Sequence, residues 1–149
     1  MATLSGEPYR VLVVDDDLHL LPYLATSLRE LSDFTIITAD NGAEALTRYF
    51  EVHPHCVVID VRMPQLDGYQ LVRSLRGDPA SASTPLVILT AMAKDKDRFA
   101  GLAAGADHYL LKPVKPLDLI HAIQAAIGIN AAEREHRYAQ FADEDPPQR

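Results

Sequence analysis

Short, unbroken apolar runs alternate along the chain with longer stretches whose apolar residues recur at helical spacing. The runs fall at 10–14, 35–38, 56–59, 86–90 and 108–111. Most are continuous Val, Ile and Leu, as expected of strands covered on both faces, and the alternation with helices predicts a parallel sheet with helices on either side. Leu21, Leu24, Leu28 and Leu31 share one face of a first helix. Pro22 lies inside that helix, lacks an amide donor, and should kink or delay its opening turn. Asn41 followed by Glu44 is a capping-box pattern ahead of a second helix. A third helix is expected over 68–75, a fourth from Asp95 or Lys96 to 104, and a fifth over 117–127 with Gly128 as its stop. Asn130 and Glu133 could cap a short sixth helix ending near Phe141, with Tyr138 and Phe141 able to dock it on the body or a partner. The acidic, Pro-containing residues 143–149 predict disorder. The expected organisation is an extension over 1–8, a folded unit over 9–128, and a helix with a tail over 129–149.

Composition narrows the picture. The chain has 149 residues, 48% of them hydrophobic, enough for one well-filled core. Its net charge of -7 opposes direct binding to nucleic acid or to an anionic membrane surface. The lone cysteine, Cys56, sits in an apolar run and reads as a buried core residue, so no internal disulfide is expected. The amino terminus has neither a cationic start nor an apolar stretch, and no run approaches the ~18 residues of a membrane span. A cytoplasmic protein is expected.

Ligands of parallel sheets bind at the carboxyl ends of the strands, and here those ends are polar. Asp15, Asp16 and Asp17 follow the first run, Asp60 ends the third, Thr90 the fourth, and Lys112 the fifth. Asp17 serves as a cap for the first helix, but capping needs one carboxylate rather than three. Carboxylates converging on one rim repel each other unless protonated or bound to a cation, and a set of oxygen donors without Cys or paired His favours Mg²⁺. His53-Pro54-His55 is a poor metal pair and reads as a surface loop. Lys94-Asp95-Lys96-Asp97 reads as the solvated start of the fourth helix.

Together these residues resemble the receiver family of two-component response regulators, over about residues 9–128. The resemblance rests on Val13-Val14-Asp15-Asp16-Asp17, on the segment from Asp60 through Met63-Pro64 to Asp67-Gly68, on Thr90-Ala91, and on Tyr109-Leu110-Leu111-Lys112-Pro113. It implies a flavodoxin-like, doubly wound five-stranded parallel sheet of order 2-1-3-4-5 with five helices, the sixth being additional. It also implies that Asp60 accepts a phosphoryl group from a histidine kinase, a phosphotransfer protein or a small phosphodonor. Mg²⁺ or Mn²⁺ would be held by Asp16, Asp60 and the backbone carbonyl of Arg62, with Asp15 near or through water. Lys112 would pair with the phosphoryl oxygens or with Asp60, and the Thr90 hydroxyl and Ala91 amide would donate to the phosphoryl group. Thr90 and Tyr109 would form the switch, changing the face made by the fourth helix, fifth strand and fifth helix, where partners or a second copy would bind; the C-terminal helix is an alternative dimer contact. Arg62 and Met92 would tune phosphoryl lifetime, and the Lys112-Pro113 bond would be cis.

Such a protein is no enzyme beyond catalysing its own phosphorylation and dephosphorylation. Aspartate-based phosphohydrolases need a second Asp two residues after the nucleophile, where this chain has Arg62. A flavin-binding electron carrier would need a Ser- and Thr-rich phosphate loop after the first strand. A free-standing receiver acting by docking on a downstream protein is the favoured arrangement, with a receiver cut from a longer regulator as the alternative.

Overall fold

The computed structural model describes residues 3–61, 68–91 and 105–129. Its elements run β1 (Arg10–Val14), α1 (Leu20–Leu31), β2 (Thr35–Ala39), α2 (Gly42–Val52), β3 (Cys56–Asp60), α3 (Gly68–Gly77), β4 (Leu86–Thr90), β5 (His108–Leu111) and α4 (Pro116–Ile127). All strand pairs are parallel and the sheet order is β2-β1-β3-β4-β5, as the resemblance implies. Four helices are described rather than five or six. The helix expected fifth is α4, whereas those expected at 95–104 and 130–141 lie outside the described residues. No helix among the described residues is long and apolar enough to cross a membrane.

Alternate residues of the same strands feed two cores. Val11, Val13, Val58 and Val87 pack with Leu24, Leu28, Leu119 and Ile123 of α1 and α4. Leu12, Val14, Val57, Ile59 and Ile88 pack on the other face with Ala45, Tyr49, Leu71 and Leu75 of α2 and α3. Cys56 is fully buried in the first core. Period-two alternation along strands covered on both sides makes every position apolar, which explains the unbroken runs.

Local signals act largely as their chemistry requires. The Asn41 side chain accepts the Glu44 amide at 2.8 Å to open α2. Asp17 accepts the amides of His19 and Leu20, and α1 opens only at Leu20, so Pro22 falls in the first turn, where amides lack helical acceptors anyway. Gly128 ends α4 in the right-handed region at φ -73°, its amide donating to the Gln124 carbonyl, so the stop uses no left-handed residue.

One buried polar cluster was not legible in the sequence. Arg76, at the end of α3, donates to the carbonyls of Gly105, Ala82 and Thr84 and to the carboxylate of Asp107, which also accepts the Leu86 amide at 2.8 Å. Nearby, the Tyr49 hydroxyl bonds Thr84 in the interior. Gly105 has φ +112°, and a Cβ there would lie 2.8 Å from Arg76 Cγ. This cluster joins the bases of β4 and β5. Asp107→Ala is expected to lower the unfolding free energy by about 2–4 kcal/mol in urea titrations, because it deprives both a half-buried guanidinium and the Leu86 amide of an acceptor.

Candidate functional site

Parallel register assembles the site. Val14 pairs with Ile59, so Asp15 and Asp60, next along their strands, arrive side by side; Asp60 pairs with Leu89, setting Thr90 one step further on β4. Thr90 pairs with Leu111, and the Lys112 amide donates to the Thr90 carbonyl at 2.7 Å, which fixes the lysine at the same rim. The Lys112-Pro113 bond is cis, as the resemblance implies.

Asp15 is fully buried and Asp60 is 5% exposed. Asp16, beside them, faces solvent. One oxygen from each of the three carboxylates lies within 4.8 Å of the others. Lys112 Nζ bridges the two buried acids, 3.0 Å from Asp15 Oδ2 and 3.1 Å from Asp60 Oδ1. The other Asp15 oxygen accepts the Asp17 amide at 2.9 Å.

The electrostatics follow from this crowding. Burial, then the Asp15 charge, push Asp60 up to about 6, with Lys112 acting in the opposite direction. Burial works against the Lys112 ammonium, yet its bonds to Asp15 and Asp60 prevail and hold its pKa above the usual lysine value. Asp17, capped by the Leu20 and His19 amides, lies below the usual carboxylate range. Hard oxygen donors, two of them buried and one open to solvent, match what a divalent cation takes, so the three acids fit a metal site.

Of the other expected site residues, Thr90 is buried and Ala91 is exposed beside it. Tyr109, half-buried, packs against the core beneath the site. Arg62 and Met92 lie outside the described residues. The Lys112–Asp15 ion pair was not anticipated, since the lysine was assigned only to Asp60 and the phosphoryl oxygens. Gly68 was also missed. Its amide donates to the Val61 carbonyl at 2.8 Å, and a Cβ there would lie 2.3 Å from the Asp60 carbonyl oxygen. Its place at the end of the acid-to-glycine segment was the only hint. His55 is not part of a simple surface loop, because its Nδ1 accepts the Arg10 amide at 2.9 Å.

The family model for the response regulator receiver domain matches residues 11–124. The transcriptional regulatory protein PrrA of Mycobacterium leprae is 44% identical over 118 residues, covering 79% of this chain and 49% of PrrA. Among solved structures, the receiver domain of the Francisella response regulator 1452 is 33% identical with a TM-score of 0.74, covering 80% of this chain and 96% of that one. The chemotaxis protein CheY4 of Vibrio cholerae is 28% identical with a TM-score of 0.75, covering 80% and 98%. The chain therefore belongs to the response regulator receiver domain family of two-component signalling. It spans about half the length of the curated relatives it matches.

Proposed function

We propose that the domain accepts a phosphoryl group on Asp60 and passes on its phosphorylated state by docking. The observation that carries this reading is the Lys112 ammonium set between the buried Asp15 and Asp60 carboxylates at a rim where Asp16 faces solvent. An Asp60 oxygen attacks the phosphorus of a phosphohistidine; the P–N bond breaks, the imidazole leaves with the bonding pair, and an acyl phosphate forms. Asp16, Asp60 and the Arg62 carbonyl would hold Mg²⁺, with Asp15 close by; the ion supplies charge neutralisation of the transferring group. Lys112 holds Asp60 in place and stabilises the incoming charge, while the Thr90 hydroxyl and Ala91 amide donate to the phosphoryl oxygens. Later attack of water on phosphorus breaks the P–O bond to Asp60 and releases inorganic phosphate, restoring the carboxylate, so the domain turns over no substrate beyond its own phosphoryl group.

The acyl phosphate adds charge and acceptors beside Thr90, drawing its hydroxyl inward and leaving room for the half-buried Tyr109 to follow. Partners would read this change on the face that includes β5 and α4. Histidine kinases or phosphotransfer proteins would be the protein donors, and a small phosphodonor can stand in for them. The matched transcriptional regulators are about twice as long as the matched region, so in their arrangement the phosphoryl group would govern an attached output; a free-standing chain would act by docking alone.

Intact mass after incubation with acetyl phosphate tests the reading. One phosphoryl adduct is expected for the wild type with Mg²⁺, and none without Mg²⁺ or for Asp60→Asn. Wild type that never gains mass would overturn it. The raised Asp60 pKa adds a further expectation. Protonation removes a ligand charge, so Mg²⁺ affinity measured by calorimetry is retained above about 6 and weakens by about tenfold per pH unit below it.

A further inference from the structure

The rim opposite the acidic site holds a second titratable arrangement. The Arg10 amide donates to His55 Nδ1 at 2.9 Å, and the His55 amide returns a bond to the Arg10 carbonyl at 2.8 Å. Arg10 also reaches the end of α2, where Nε donates to the Val52 carbonyl and a terminal nitrogen to that of His53. Tyr9 meets the His55 ring edge-on at 5.2 Å, and its carbonyl accepts the Thr35 amide of β2. One imidazole thus ties the start of β1 to the start of β3, while Arg10 grips the end of α2 and Tyr9, just before β1, grips β2.

We propose that His55 is an acid-opened latch at the base of β1. An imidazole nitrogen that accepts a backbone N–H carries no proton, so the closed latch requires the neutral ring with its proton on Nε2. Protonation turns Nδ1 into a donor facing another donor, and the Arg10 amide loses its acceptor.

The surroundings set the direction. Burial lowers the His55 pKa first, the Arg10 guanidinium lowers it further, and Glu7 of the amino-terminal turn opposes them. Of the neighbouring elements, β1 presents the Arg10 charge, the residue before it presents the Tyr9 ring, and the end of α2 presents His53, whose ring leans on Tyr49. A folded pKa below the unfolded one means that the stabilisation is complete above the ordinary histidine value and is lost as pH falls through the folded value. The latch therefore stays closed at neutral pH and opens in acid. It lies at the opposite ends of the strands from Asp15 and Asp60, so its opening loosens the start of β1 without dismantling the acidic site.

The test is amide hydrogen exchange and imidazole ¹⁵N NMR on the full chain. At neutral pH, Nδ1 is expected at the shift of an unprotonated nitrogen. On acidification, the protection of the Arg10 amide, corrected for intrinsic exchange, should fall at least about tenfold in step with the His55 titration, while Ile123 in α4 keeps its protection. In His55→Asn the amide oxygen can accept the same bond without titrating, so Arg10 protection should stay level. A protonated Nδ1 at neutral pH, or Arg10 protection that holds while His55 titrates, would overturn the proposal. Should the Asn variant fail to fold, the two wild-type measurements decide the question alone.

Discussion

Lys112→Met is expected to lower the unfolding free energy by about 3 kcal/mol at about pH 8, and phosphoryl uptake from acetyl phosphate by at least about a hundredfold. The lysine is the cation placed between two buried carboxylates, and methionine keeps much of its stem while removing the charge. What remains is a pair of acids with no positive partner among their described contacts. The pH dependence has a definite sign. A carboxyl whose folded pKa exceeds its unfolded value, as for Asp60 at about 6 against 3.8, destabilises the fold when ionised. That cost is absent at low pH, grows as pH rises through the interval between the two values, and is complete above the folded one. Loss of the lysine raises Asp60 further, so the variant should approach wild-type stability near about pH 4 and fall furthest behind in mild alkali. Urea titrations across pH would check this. Adding Asp15→Asn to the variant should return most of the lost stability but none of the phosphoryl uptake, which separates the lysine's part in folding from its part in chemistry.

Gly68→Ala is expected to abolish phosphoryl uptake while leaving a folded domain. The added methyl would sit 2.3 Å from the Asp60 carbonyl oxygen and 2.7 Å from the Val61 Cα, both backbone atoms that no side-chain rotation can move aside. Because Gly68 is tied to Val61 by its amide, relief comes at the expense of the end of β3, whose shift displaces the Asp60 carboxylate from its bridge to Lys112. A displacement of this order in a positioned group costs about a hundredfold in rate, so no adduct accumulates over the time in which the wild type is fully converted. Circular dichroism should retain the helix signal and intact mass should show no adduct. A variant that gains the adduct at the wild-type rate would mean that β3 yields without moving Asp60.

The strands were legible because a sheet buried on both faces demands continuous Val, Ile and Leu, and Val57-Val58-Ile59 or Leu86-Val87-Ile88-Leu89 admit little else. The polar residues ending those runs pointed to one rim, and the register brings Asp15, Asp60, Thr90 and Lys112 there. Pairings set by distance in space stayed hidden. Arg76 and Asp107 are 31 residues apart, Arg10 and His55 are 45 apart, and neither spacing belongs to a helix or a strand. His55 was read as loop because a proline flanked by two histidines resembles one, whereas the acceptor it offers to β1 depends on how two strand starts align. Gly68 carried no signal beyond its place at the end of the Asp60-to-Gly68 segment, since its need for a missing side chain comes from the backbone of a different element.

The Lys112–Asp15 contact joins positions 97 residues apart, at the last strand and the first. The cation beside Asp60 is therefore supplied only once Lys112 has been made and folded back onto the first strand. A chain still emerging from the ribosome, or clipped anywhere between the two residues so that its halves part, would hold the acceptor aspartate without the lysine that holds it ready. On the proposed function, phosphoryl acceptance would then depend on every element from Asp15 to Lys112 being in place, and a fragment cut between them would draw few phosphoryl groups from a donor.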